Sequence, residues 1–181
     1  MPDNKIAGKF DKNGFLYYDR RERVNLATFD KLDKAIIHLL NRDGRLSSSA
    51  IARQLQVTER TVRNRIKRLT ENGVIHPVAV VNPAAFGYTL AVDIFCEFDA
   101  ASANQAIETI TTMPEVSYVA YAAGDQDISL QAMFKNSSDL HIFITNKLRQ
   151  VPGIRHTRTV LVPRIIKDAY QWLPPDEAFD A

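Results

Sequence analysis

Residues 59–68 read Glu-Arg-Thr-Val-Arg-Asn-Arg-Ile-Lys-Arg, and five of these ten are Lys or Arg. Long cationic donors at this density are chemistry for a polyanion. Arg60, Thr61, Arg63 and Asn64 come first in the run. An arginine fork matches guanine O6 and N7, and an asparagine amide matches adenine. Arg65, Lys67 and Arg68 follow, where cations more often meet phosphate, with a packing or salt-bridge role as the alternative for Arg65. The ordinary alternative is a solvated basic face on a helical bundle. Glu59 is the sole acid in the run, so salt bridges within the helix do not explain the charge.

A second group sits at Gly124-Asp125-Gln126-Asp127. Glycine lets a backbone approach a small ligand closely, and two carboxylates nearby suit an ammonium group. The plain alternative is a tight hairpin turn, where Gly and Asp are expected anyway. The residues alone favour that alternative.

The elements that must position these groups are legible from spacing. Leu32, Ile36, Leu39 and Leu40 lie on one face of a helix over about 30–41, capped by Thr28 or Asp30 and ended by Gly44. Ser47, Ser48 and Ser49 offer caps for a second helix, with Ile51, Ala52 and Leu55 inward. Thr58 caps a third, Glu59 to Asn72, whose Val62, Ile66 and Leu69 form one apolar stripe. Two helices joined by a short turn, after a supporting helix, make a helix-turn-helix. The basic run then falls on the groove-reading helix. Its N-terminus, with Ser48 and Thr58 at the helix starts, points amides toward phosphate.

After Val78–Val81, read as a strand in a linker over 77–83, the period changes to two. Leu90, Val92, Ile94, Cys96 and Phe98 alternate with polar positions. A helix over Ser102–Thr112, strands at Val116–Ala123 and Ile128–Phe134, a helix marked by Leu140, Phe143, Ile144 and Leu148, and a strand at Ile154–Val162 complete the order βαββαβ. That order is a ferredoxin-like sandwich. The fold class is therefore α+β. Residues 1–27 read as an arm with one short strand, 28–76 as the (winged) helix-turn-helix and 84–170 as the ferredoxin-like domain. Residues 171–181 read as a frayed tail, with Tyr170 and Trp172 packed on the domain.

Charge divides along the same lines. Residues 1–27 carry six Lys/Arg against four Asp/Glu, residues 28–76 ten against five, and residues 77–181 seven against twelve. A basic block followed by an acidic block implies two tasks on one chain. The length of 181 residues allows two small domains with real cores. No apolar run nears the ~18 residues of a membrane span, so no membrane partner is expected. Cys96 is the single cysteine, which excludes an internal disulfide and fits a reducing, cytoplasmic compartment. His38, His76, His141 and His156 are scattered without metal-ligand spacing, and there is no phosphate loop or Ser-His-Asp signature. No metal, cofactor or catalytic residue is expected.

Residues Ile51-Ala52, Leu55, Val57-Thr58, then Thr61 to Leu69, then Asn72-Gly73-Val74-Ile75 resemble the helix-turn-helix of the Lrp/AsnC, or feast/famine, regulators. Gly124 to Asp127 resembles that family's Gly-x-x-Asp turn. Val151-Pro152-Gly153-Ile154 with Thr157, Thr159 and Leu161 resembles its closing segment. The likeness spans about residues 30–170. It implies a transcriptional regulator on double-stranded, near-palindromic DNA, a homodimer and often a tetramer or octamer. It also implies an amino-acid effector pocket at the turn, with Gly124, Asp125, Gln126, Asp127, Thr157 and Thr159 as candidates. Where Gln126 stands, the family often has an aromatic. A bare sheet face and the two-half-site logic of DNA dimers point to pairing independently. Two alternatives remain: an architectural DNA protein without effector, and an enzyme resembling those that decarboxylate sirohaem on this architecture. The second would gather His or Arg in the latter half, which here is acidic.

Overall fold

The computed structural model describes residues 28–167 and 172–179, with the backbone of two short strands in the arm. Those strands, β1 (Lys9–Phe10) and β2 (Leu16–Tyr17), pair antiparallel. Tyr170 and the remainder of the arm lie outside the described residues. The chain forms two units, one from residues 1–79 with 167–181 and the other from residues 80–166.

In the first unit, α1 (Lys31–Arg42) starts at Asp30 through a reciprocal capping box. Asp33 N donates to Asp30 Oδ1 at 2.9 Å, and Asp30 N donates to Asp33 Oδ2 at 3.2 Å. Helix α2 (Ser48–Leu55) is capped by Ser47, whose Oγ accepts from Ala50 N, so Ser48 is already helical. Gln56 ends it in the left-handed region at φ 54°. Thr58 caps α3 (Glu59–Glu71) by accepting from Thr61 N at 3.1 Å. Ile36, Ile37, Ile51, Ala52, Val62 and Leu69 are buried together, with Ile66 partly buried beside them.

Three expectations fail here. Val78–Val81 is not a strand, and no β-wing follows α3 among the described residues. A strand needs a neighbour for its amides, and Val78, Val80 and Val81 instead stand 58–63% exposed. The described part of the C-terminal tail, 172–179, is not frayed. A 3₁₀ turn at Asp176–Phe179 delivers Phe179 into the helical core at 3% exposure, with Leu173 packed beside it. Trp172, expected to pack, is 63% exposed.

The second unit is β3 (Leu90–Phe98), α4 (Ala103–Thr111), β4 (Val116–Tyr121), β5 (Ile128–Phe134), α5 (Ser137–Asn146) and β6 (Ile154–Val162). The antiparallel sheet runs β4-β5-β3-β6, the ferredoxin-like order. Alternation on β3 and β5 sends Val92, Ile94, Cys96, Ile128, Leu130 and Phe134 to the face covered by α4 and α5. Burial pushes the Cys96 thiol up to about 12, so it packs as a small hydrophobe and not as a nucleophile. Gly153 turns into β6 at φ 90°, where an added Cβ would lie 2.4 Å from Ser102 Cβ. Only glycine fits that corner.

Candidate nucleic-acid interface and effector turn

Helix α3 has two opposed stripes. Val62 and Leu69 are buried, while Arg60, Arg63, Asn64 and Lys67 are exposed at positions i, i+3, i+4 and i+7. Those four side chains therefore project as one ridge. Arg63 pairs with Glu59, and Lys67 Nζ lies 3.7 Å from Glu71 Oε1. Exposed i,i+4 pairs contribute only ~0.3–0.5 kcal/mol each, so both cations exchange such partners readily. Thr61 is half-buried, and its hydroxyl lies 2.8 Å from that of Thr58.

Arg65 and Arg68 have a different setting. Arg65 Nη1 donates to Asp30 Oδ2 at 2.6 Å and to both Asp33 oxygens at 3.1 Å. Arg68 Nη2 also donates to Asp33 Oδ2. Asp33 is wholly buried, and Arg65 is 28% exposed. The backbone amide of Asp33 and then the Arg65 guanidinium hold the Asp30 carboxyl below its usual value, and Asp30 in turn raises Arg65. A buried carboxylate needs such partners. Both arginines thus tie α3 to α1, which for Arg65 is the salt-bridge alternative and for Arg68 departs from the expected phosphate contact. The overlooked signal was matched spacing: acids three apart at 30 and 33, bases three apart at 65 and 68.

At the effector turn, Gly124 (φ 150°), Asp125 and Asp127 are exposed. Asp127 is also a structural pin. Its Oδ2 accepts from Phe98 N at 2.7 Å, and its amide donates to Cys96 O at 3.0 Å. Gln126 Nε2 donates to Glu97 Oε1 at 2.9 Å, with Gln126 Oε1 buried beside it. Thr157 pairs with Cys96 and Thr159 with Ile94, so both threonines share the helix-side face. Because successive strand residues alternate, Glu97 and its Gln126 partner lie on the sheet face opposite Thr157 and Thr159.

Among the described residues, no group of three or more His, Cys, Asp or Glu could hold a metal ion. No helix there is long and apolar enough to cross a membrane.

Comparison with known proteins covers both units. The AsnC-type helix-turn-helix domain matches residues 29–70, and the Lrp/AsnC ligand-binding domain matches residues 90–172. An uncharacterised HTH-type transcriptional regulator of Pyrococcus horikoshii is 36% identical over 78% of this chain and 90% of its own. Another HTH-type regulator, from Pyrococcus furiosus, is 33% identical over 77% of this chain and 92% of its own. Escherichia coli AsnC superposes with a TM-score of 0.74 at 23% identity, covering 80% of this chain and 99% of its own. A Neisseria meningitidis regulator solved with L-Met gives 0.78 at 22%, covering 83% and 99%. With both units matched in order, this chain belongs to the Lrp/AsnC family of transcriptional regulators, joining a helix-turn-helix DNA-binding domain to a ligand-binding domain.

Proposed function

We propose that this regulator is a cytoplasmic, sequence-specific DNA reader that works as a homodimer and responds to an amino acid or similar small effector. The observation that carries the reading is the exposed ridge of Arg60, Arg63, Asn64 and Lys67, opposite a buried stripe on a capped helix. Arg60, Arg63 and Asn64 face base edges, and Lys67 faces phosphate. Ser48 and Thr58 stand at helix starts that present amides to phosphate. Arg65 and Arg68 set the angle of the reading helix through Asp33.

Dimerisation uses the sheet face that α4 and α5 leave bare. There the Arg158 guanidinium lies 4.6 Å from the Phe95 ring centroid, and Tyr118 is 57% exposed. Two reading helices on a dimer select a near-palindrome, and further assembly to tetramers or octamers follows if the effector turns meet. The effector contacts Gly124 and Asp125, with Gln126 as the side chain that sets specificity. The Neisseria protein bound to L-Met supports an amino-acid ligand. Ligand at such an interface shifts assembly, and thereby DNA affinity, by linkage.

Fluorescence anisotropy tests this reading. The probe is DNA from upstream of the protein's own gene, at two salt concentrations, with unrelated DNA as competitor. The regulator reading expects binding that survives competitor and falls steeply with salt. Each amino acid is then added, and the effector is the one that shifts affinity. Binding no stronger than to competitor would refute sequence-specific recognition.

A further inference from the structure

An acidic segment with Pro174-Pro175 ordinarily frays, yet this one is anchored. Phe179 is 3% exposed in the same core as Ile36, Ile51 and Val62. Lys34 on α1 reaches the segment twice. Its Nζ lies 2.7 Å from Asp176 Oδ1 and 6.0 Å from the Phe179 ring centroid. The next residue back, Asp33, receives Arg65 and Arg68 from the reading helix. Consecutive residues of α1 therefore grip the tail and α3. The chain also joins the two units twice, once at 79–80 and again at 166–167, because the tail belongs to the DNA-binding unit.

We propose that residues 172–179 are a docking strap: seating Phe179 against α1 holds α1 and, through Asp33, the reading helix in its DNA-competent pose. One aromatic anchor with Leu173 beside it, one ion pair exposed on its Asp176 side and a single 3₁₀ turn form a small cooperative unit that docks and releases locally. Docked and released tails are then two states of the DNA-binding unit. The acidic tail also complements a unit whose residues 28–76 carry ten Lys/Arg against five Asp/Glu. The effect on DNA rests on the function proposed above, whereas the seat is tested without DNA.

The experiment compares amide hydrogen exchange in the full-length protein, in Phe179→Ala and in a chain ending at Trp172. Both variants are expected to keep their helical circular dichroism. Their α1 and α3 peptides exchange about tenfold faster, with β3 and β5 peptides unchanged. Asp176→Lys moves exchange in the same direction by a smaller factor, and adding Lys34→Asp restores it. On the upstream DNA, Phe179→Ala loses roughly tenfold in affinity with an unaltered salt slope, since no phosphate contact is removed. Unchanged α1 exchange overturns the strap. So does collapse of α1–α3 in Phe179→Ala, which would make the tail permanent core. If the unaltered protein does not bind the DNA, the DNA reading fails while the exchange arm still decides the seat.

Discussion

Asp33 serves both α1 and α3. It closes the capping box of α1 and accepts from Arg65 and Arg68 while wholly buried. Asp33→Ala removes a hub and leaves two guanidiniums without their carboxylate. Because both arginines retain access to water, the expected cost is about 2 kcal/mol, read from urea unfolding. Asp30 contributes with a defined sign. Its folded value lies below 3.8, so its contribution is present above that pH and is lost as pH falls through the folded value. The stability gap between the unaltered protein and Asp30→Asn should therefore be full above pH 3.8 and narrow as the pH of thermal melts is lowered below it. Gly153 is a steric case. A Cβ there would meet Ser102 Cβ at 2.4 Å on a left-handed backbone, so Gly153→Ala should destabilise by ~1–3 kcal/mol in the same assay.

At the scale of elements, α3 divides its cations between two tasks. Lys67→Ala should lower DNA affinity across all sequences and reduce the salt slope by about one. Arg63→Ala should instead relax discrimination between operator and competitor, by about 1–3 kcal/mol. Arg65→Gln separates the tasks: it should lower the unfolding midpoint while leaving the salt slope unchanged, because its donors face Asp30 and Asp33. Anisotropy titrations at several salt concentrations, beside melts of the same proteins, check all three. The helix-turn-helix and the βαββαβ order were legible because caps and periodicity are local. Asp30, Ser47 and Thr58 each bond an amide three residues on, and such contacts are written in short windows. The clamp on Arg65 and Arg68 was not legible in that way, since its partners lie 32 and 35 residues distant.

For the molecule as a whole, the bare sheet face is where the proposed dimer forms. Tyr118→Lys puts a charge on that face at an exposed position, so the fold should persist while the dimer weakens at least tenfold in sedimentation velocity. A dimer unaffected by this change would place the interface elsewhere. The candidate effector residues also divide at this scale. Gly124 to Asp127 form one turn, while Thr157 and Thr159 face the helix layer of their own chain.

Sequence alone determined the two units, their order, the stripe on α3 and the turn at 124–127. Each follows from hydrophobic period, from caps a few residues apart, or from residue types that tolerate special backbone. Tertiary structure decided which arginines remain outward, that Val78–Val81 has no strand to pair with, and that Phe179 is core. Those outcomes depend on which distant groups meet. A guanidinium reads the same in sequence whether it faces water or a buried carboxylate. A lone phenylalanine in an acidic tail carries no period to show that a helix more than a hundred residues earlier will bury it.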